Sequence, residues 1–222
     1  MFNGNTKVVN AENLSLSATT LATYCYWKMF QGCTSLVTAP ALPATTLKTD
    51  CYYYMFYGCT ALTSAPELPA TTLTNHCYTS MFQGCISLTS APVLPATTLA
   101  GSCYNSMFAG CTSLVNTPTL PATTLVGNCY REMFQGCTAL TIAPELPAKT
   151  LANYCYYSMF QGCTNLNYIK AMFTTTPSGS STQNWVSGVA ASGTFVKNSA
   201  AQWDVTGVNG IPSGWTVQTA SV

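Results

Sequence analysis

Charge is what this chain has least of: seven Lys or Arg, six Asp or Glu and one His among 222 residues leave a net charge of +1. No basic run or stripe is present, so the electrostatic footprint that a nucleic-acid partner requires is missing. No apolar stretch approaches the roughly 20 residues needed to cross a bilayer, so this fragment is not expected to insert into a membrane. Gly-rich phosphate loops and Cys-x-x-Cys or other zinc spacings are also lacking, and no cofactor or metal is expected. Disorder is excluded by an apolar fraction of 48%. With so little charge, solubility falls to Thr, Ser, Asn and Gln, a surface suited to an extracellular or cell-surface setting.

What the chain does have is a lattice of cysteines. The pair Cys25/Cys33 returns every 26 residues as Cys51/Cys59, Cys77/Cys85, Cys103/Cys111, Cys129/Cys137 and Cys155/Cys163, which accounts for all twelve. A fixed period of this length marks a repeat array in which each unit buries its apolar side only by stacking on its neighbours. The copy from Cys59 to Gly84 is repeated closely from Cys33, Cys85, Cys111 and Cys137, while Asn5 to Gly32 is degenerate and two residues longer. The opening Met1-Phe2-Asn3-Gly4-Asn5 is similar to the repeat's own Met-Phe-Gln-Gly-Cys. The chain therefore reads as starting inside an array, with any signal peptide or lipid anchor outside it.

Within one copy, Cys51, Met55, Phe56 and Cys59 fall at i, i+4, i+5 and i+8, the spacing of one helical face. Gly58 stands where a short helix would end in a left-handed residue. Leu62 to Pro69 carries two prolines and reads as a strand of about three to five residues. Pro40, Pro66, Pro92, Pro118 and Pro144 should end the strand ladder at the same rung of every copy.

The segment Met81-Phe82-Gln83-Gly84-Cys85-Ile86-Ser87-Leu88 resembles the Ala-Phe-x-x-Cys-x-x-Leu core that precedes a strand and a proline in leucine-rich repeats of the BspA type. The resemblance covers roughly residues 1–170, although family units are nearer about 23 residues long. It implies an α/β, leucine-rich-repeat-like solenoid, with short parallel strands on one face and short helices on the other. It also implies a secreted or surface-attached bacterial protein used in attachment or partner binding. On this reading residues 1–170 form the array and residues 171–222 a small β-rich C-terminal cap. That cap holds Trp185, Trp203 and Trp215, which serve either as its core or as a platform for sugar rings.

The cysteines weigh toward two internal ladders of buried thiols. Eight residues along a helix place Cα atoms about 12 Å apart, against the roughly 4.4–6.8 Å that a disulfide needs. Asp50, His76 and Ser102 recur at one repeat position, in the order of a hydrolase triad. The same column continues as Asn128 and Tyr154, and no oxyanion hole or strained nucleophile turn accompanies it, so no catalytic residue is expected. Glu67 and Glu145 are three copies apart, about 15 Å, too far for paired-carboxylate glycoside hydrolysis.

Binding is expected where the core does not dictate the residue. Beside the strand these positions include Thr38, Ser64, Ser90, Asn116, Ile142 and Tyr168, with Glu67 and Glu145 in a neighbouring column. Together they would tile one solvent-facing stripe for a protein or glycan on another cell or in the extracellular matrix. A structural spacer or self-assembling surface component without a specific ligand is the alternative. On the opposite side, Trp27-Lys28, Tyr53-Tyr54, Arg131-Glu132 and Tyr157-Ser158 vary as well.

Overall fold

The computed structural model describes residues 2–220. It stacks the copies in register, so that a residue lies beside its equivalent 26 positions on, or 28 on in the longer first copy, as Asn10 does beside Thr38. Phe30, Phe56, Phe82, Phe108, Phe134 and Phe160 form one column of near-parallel rings with centroids 5.5–5.8 Å apart. Tyr26, Tyr52, Tyr78, Tyr104, Tyr130 and Tyr156 form a second at 5.7–6.1 Å. Leu36, Leu62, Leu88, Leu114, Leu140 and Leu166 fill the space between the two sides and are fully buried.

The expected α/β class is overturned: among the described residues there is no helix, and the regular secondary structure is three short parallel strands. Backbone conformation is the reason. Asp50, Tyr54 and Gly58 have φ of 57°, 57° and 70°, and an α-helix admits no such residue. The segment is instead a ribbon of β-turns. Cys51, Met55 and Cys59 each donate an N–H to the carbonyl three residues back, on Lys48, Tyr52 and Phe56. The third residue of each of these turns has positive φ, as a type II turn requires.

The intervening N–H groups leave the coil. Tyr52, Tyr54, Phe56 and Gly58 donate to Cys77, Thr79, Met81 and Gln83 of the next coil at 2.8–3.1 Å. Every such bond runs the same way, from N–H of one coil to carbonyl of the next. The pattern continues to Tyr156, Ser158, Phe160 and Gly162, which donate to Ser181, Gln183, Trp185 and Ser187. At the far end the Asn184 N–H is satisfied by the Asn209 side-chain carbonyl at 2.7 Å. An amide side chain thus stands in for one more coil.

On the opposite side the expected strand in every copy is reduced to single bridged residues, such as Thr38 to Ser64 and Ser90 to Asn116. A proline two residues on lacks the N–H that the next rung would need. The proline column gives way to Lys170 and Val196, and there the bridges widen into strands. β1 (Tyr168–Ala171) pairs in parallel with β2 (Thr194–Asn198), which pairs with β3 (Thr216–Ala220). The β1 to β2 register is again 26 residues. Gly193 precedes β2 because an added Cβ would lie 2.3 Å from the Asn167 carbonyl oxygen.

Trp185, Trp203 and Trp215 are buried, and each indole N–H meets a carbonyl: Gly210, Phe173 and Ala190 at 2.8, 3.2 and 2.8 Å. These rings belong to the core, and none presents a face for a sugar.

Candidate binding faces

The turn ribbon fixes the cysteines. All twelve thiols are free; Cys25 is exposed and the other eleven are buried. In the second column, Cys59, Cys85, Cys111, Cys137 and Cys163 each donate a thiol hydrogen to a Phe carbonyl of the preceding coil at 3.0–3.2 Å, and Cys33 does so to Phe2. Helical spacing therefore does not explain why they stay unbridged. Each thiol of this second column is turned toward a backbone acceptor in the preceding coil. Burial pushes the Cys51 thiol up to about 11 and those of Cys59, Cys103, Cys111 and Cys163 to about 12. These thiols stay protonated at neutral pH and lack the thiolate that nucleophilic or metal chemistry uses. Among the described residues no group of three His, Cys, Asp or Glu is placed to hold a metal ion.

The column of Asp50, His76 and Ser102 has a conformational meaning. All three, with Tyr24, Asn128 and Tyr154, hold φ between 55° and 58°. Asp, Asn and His are the non-glycine residues most tolerant of that region. His76 Nδ1 faces the Thr79 hydroxyl at 3.4 Å, and no hydrogen bond joins it to Asp50 or Ser102 among the described residues. Sequence spacing brings the three to equivalent turns without assembling a catalytic contact.

Beside the bridges, the expected stripe is at the surface. Ser64, Ser90, Asn116 and Ile142 are exposed, while Thr38 and Tyr168 are half-buried. Thr38 bridges Ser64, Ser90 bridges Asn116, and Ile142 bridges Tyr168. The Asn116 amide also donates to the Ser90 hydroxyl at 2.9 Å. Glu67 and Glu145 are both exposed but differ in company, since Glu145 is ion-paired to Lys170 at 3.0 Å.

Sequence reasoning treats the prolines only as ladder breakers and misses their second effect, which is to wall a shallow trough. One depression of about 500 Å³ runs between Glu12, Pro43, Pro66 and Pro69, and a second of about 330 Å³ continues it past Glu67 to Pro92, Val93 and Pro95. A separate depression of about 340 Å³ lies between Pro118 and Glu145. The signal was available: two prolines three residues apart in five successive copies, from Pro40/Pro43 to Pro144/Pro147, with a varying residue between them.

The turn side carries a contiguous aromatic patch over the first coils. Tyr24 meets Trp27 edge-on, the Lys28 ammonium sits 4.5 Å above Trp27, and Tyr54 packs against Tyr53 and Tyr57. Later coils place Thr79, Ser80, Asn105 and Ser106 there instead.

A family model for the BspA type leucine rich repeat region matches residues 6–141 and 81–182, with six copies. No curated protein and no solved structure matches the chain. The matched residues span most of the stacked coils and include the Met-Phe-x-Gly-Cys turns that build them, so the chain belongs to the family of BspA-type leucine-rich repeats.

Proposed function

We propose that the chain is a non-enzymatic recognition module of a secreted or cell-surface protein, binding a protein or glycan partner along the face that carries the bridges. The observation that supports this most is the division of labour across each coil. The inward Cys, Tyr, Met, Phe and Leu columns are set by packing, whereas the bridge side presents Ser64, Ser90, Asn116 and Ile142 beside a proline-walled trough, with nothing in the core requiring those residues. Extended surfaces of varying residues on a repeated frame are how repeat proteins recognise partners. The buried, protonated thiols and the unassembled Asp50, His76 and Ser102 column give no support to a catalytic reading.

Binding of the purified chain to arrays of glycans and extracellular-matrix proteins, compared with the double variant Glu67→Ala/Tyr168→Ala, tests the proposal. Specific binding that the variant loses supports it. Binding that the variant keeps sends the partner to the turn side, and no binding to any array member favours a spacer whose coils supply only length and stiffness.

A further inference from the structure

The trough across the first coils has a chemistry that narrows its occupant, provided that partners bind on the bridge face as proposed. Among the side chains that line its two connected depressions, only Glu12 and Glu67 are polar, and the rest are Pro, Ala, Leu and Val. A glycan needs donors as well as acceptors, and aromatic faces help to hold its rings; this lining supplies no side-chain donor and no aromatic ring. An apolar chain carrying positive charge is complementary on both counts.

The charge distribution of the whole chain points the same way. Of its six side-chain carboxylates, Glu132, Glu145 and Asp204 are ion-paired, to Arg131, Lys170 and Lys197, and Asp50 stands on the turn side. Glu12 and Glu67 have no such partner among the described residues and share one depression. The other proline-walled depression, beside Glu145, is already neutralised by Lys170 at 3.0 Å. Val93, 73% exposed, extends the floor by one coil and offers an apolar contact between the proline walls.

Spacing selects the conformation of the ligand. Glu12, in the column of Pro66, and Glu67, one position on, lie two coils apart, about 10 Å along the stack at the ~4.8 Å rung separation of stacked strands. A polyproline II segment rises ~3.1 Å per residue with three residues per turn, so side chains at i and i+3 lie on one face about 9.3 Å apart. In a β-strand, residues at i and i+3 point to opposite faces. We infer that the trough from Glu12 to Val93 docks an extended, proline-rich peptide segment carrying Lys or Arg at i and i+3. Its cations meet Glu12 and Glu67, and its prolines pack against Pro43, Pro69 and Pro95.

The probe is a fluorescein-labelled Lys-Pro-Pro-Lys-Pro-Pro-Lys peptide, titrated with the intact chain and read by fluorescence anisotropy. Binding is expected that weakens about threefold to fivefold for Glu67→Gln and for Glu12→Gln separately, as exposed charge pairs do. Added salt should weaken it and Glu145→Gln should leave it unchanged. The Glu-Pro-Pro-Glu-Pro-Pro-Glu control and a Lys-Pro-Lys-Pro-Lys peptide of altered spacing should bind more weakly. No binding of the first peptide, equal binding of the Glu control, or affinity untouched by both Gln variants overturns the inference. So does a glycan whose binding is lost in Glu67→Gln, although that result keeps the bridge-face reading, which falls only if the array experiment fails as well.

Discussion

The two sides of each coil hold the stack together in opposite ways. On the turn side, alternate N–H groups from Asp50 to Gly58 reach the next coil, and beneath them the Phe and Tyr columns stack without a break. On the bridge side, prolines remove donors, and isolated bridges such as Thr38 to Ser64 and, past the prolines, Thr72 to Thr98 carry the pairing. The same number of residues thus yields one side dense in backbone bonds and buried rings, and another joined by little more than its Leu and Ala floor. Substitution on the bridge side disturbs few shared contacts, so the residues there are free to differ from copy to copy.

The largest expected way to break this contrast is alkaline pH, because it attacks the turn side alone. Burial pushes the thiols of Cys51, Cys59 and Cys111 up from 9 to about 11, 12 and 12 in the folded chain. The folded state therefore holds more protons between those values, and stability that is complete below pH 9 declines as pH rises through that window. Each well-buried thiol removes about 1.4 kcal/mol per pH unit there, so several together should unfold the chain. Thermal melts between pH 7 and 11, under reducing conditions, should show a steep fall beginning near pH 9. A flat profile would mean that the thiols are not protonated and buried as described.

A paired substitution measures the contrast at one level. Phe82→Ala opens the ring column between Phe56 and Phe108 and is expected to cost about 3–5 kcal/mol. Pro69→Ala, at an exposed position of the trough wall, should cost less than about 1 kcal/mol, chiefly through greater freedom of the unfolded chain. Urea unfolding of the two variants gives both numbers, and similar losses would contradict the assignment of stability to the turn side.

The smallest effect sharpens the comparison. Pro66→Val restores an N–H at the rung where Lys170 and Val196 allow the paired strands β1 and β2. Stability should change by no more than about 0.5 kcal/mol, but hydrogen exchange should show slower amides around Ser64 to Glu67. Unchanged exchange would indicate that something other than proline keeps the bridges short.

Much of this fold is readable from the residues. The 26-residue lattice marks the copies, the buried Met, Phe and Cys columns, and the surface stripe from Thr38 to Tyr168. The helical reading fails for a definite reason: turns of four residues place apolar side chains at Cys51, Met55 and Cys59, and across nine positions a period of 4 differs from one of 3.6 by about one residue. The contrary signal is the column of Asp50, His76 and Asn128, residues tolerant of positive φ, recurring eight positions before Gly58 or its equivalent; the positive-φ residues between them, Tyr54, Ser80 and Glu132, carry no such mark. The Tyr that follows the first cysteine of a pair is likewise a column in plain view, buried from Tyr52 to Tyr156.

Sequence by itself determined the repeat, its register and which columns face inward, because identical side chains at a fixed period can be buried together in only one way. Whether those columns hang on helices or on turns was decided by the tertiary structure. The N–H groups that a helix would keep within the coil are here satisfied by the next coil, and a bond between residues 25 apart, such as Tyr52 to Cys77, leaves no local trace in the chain. The trough was decided there too, since Glu12 and Glu67 become neighbours only when three coils are stacked.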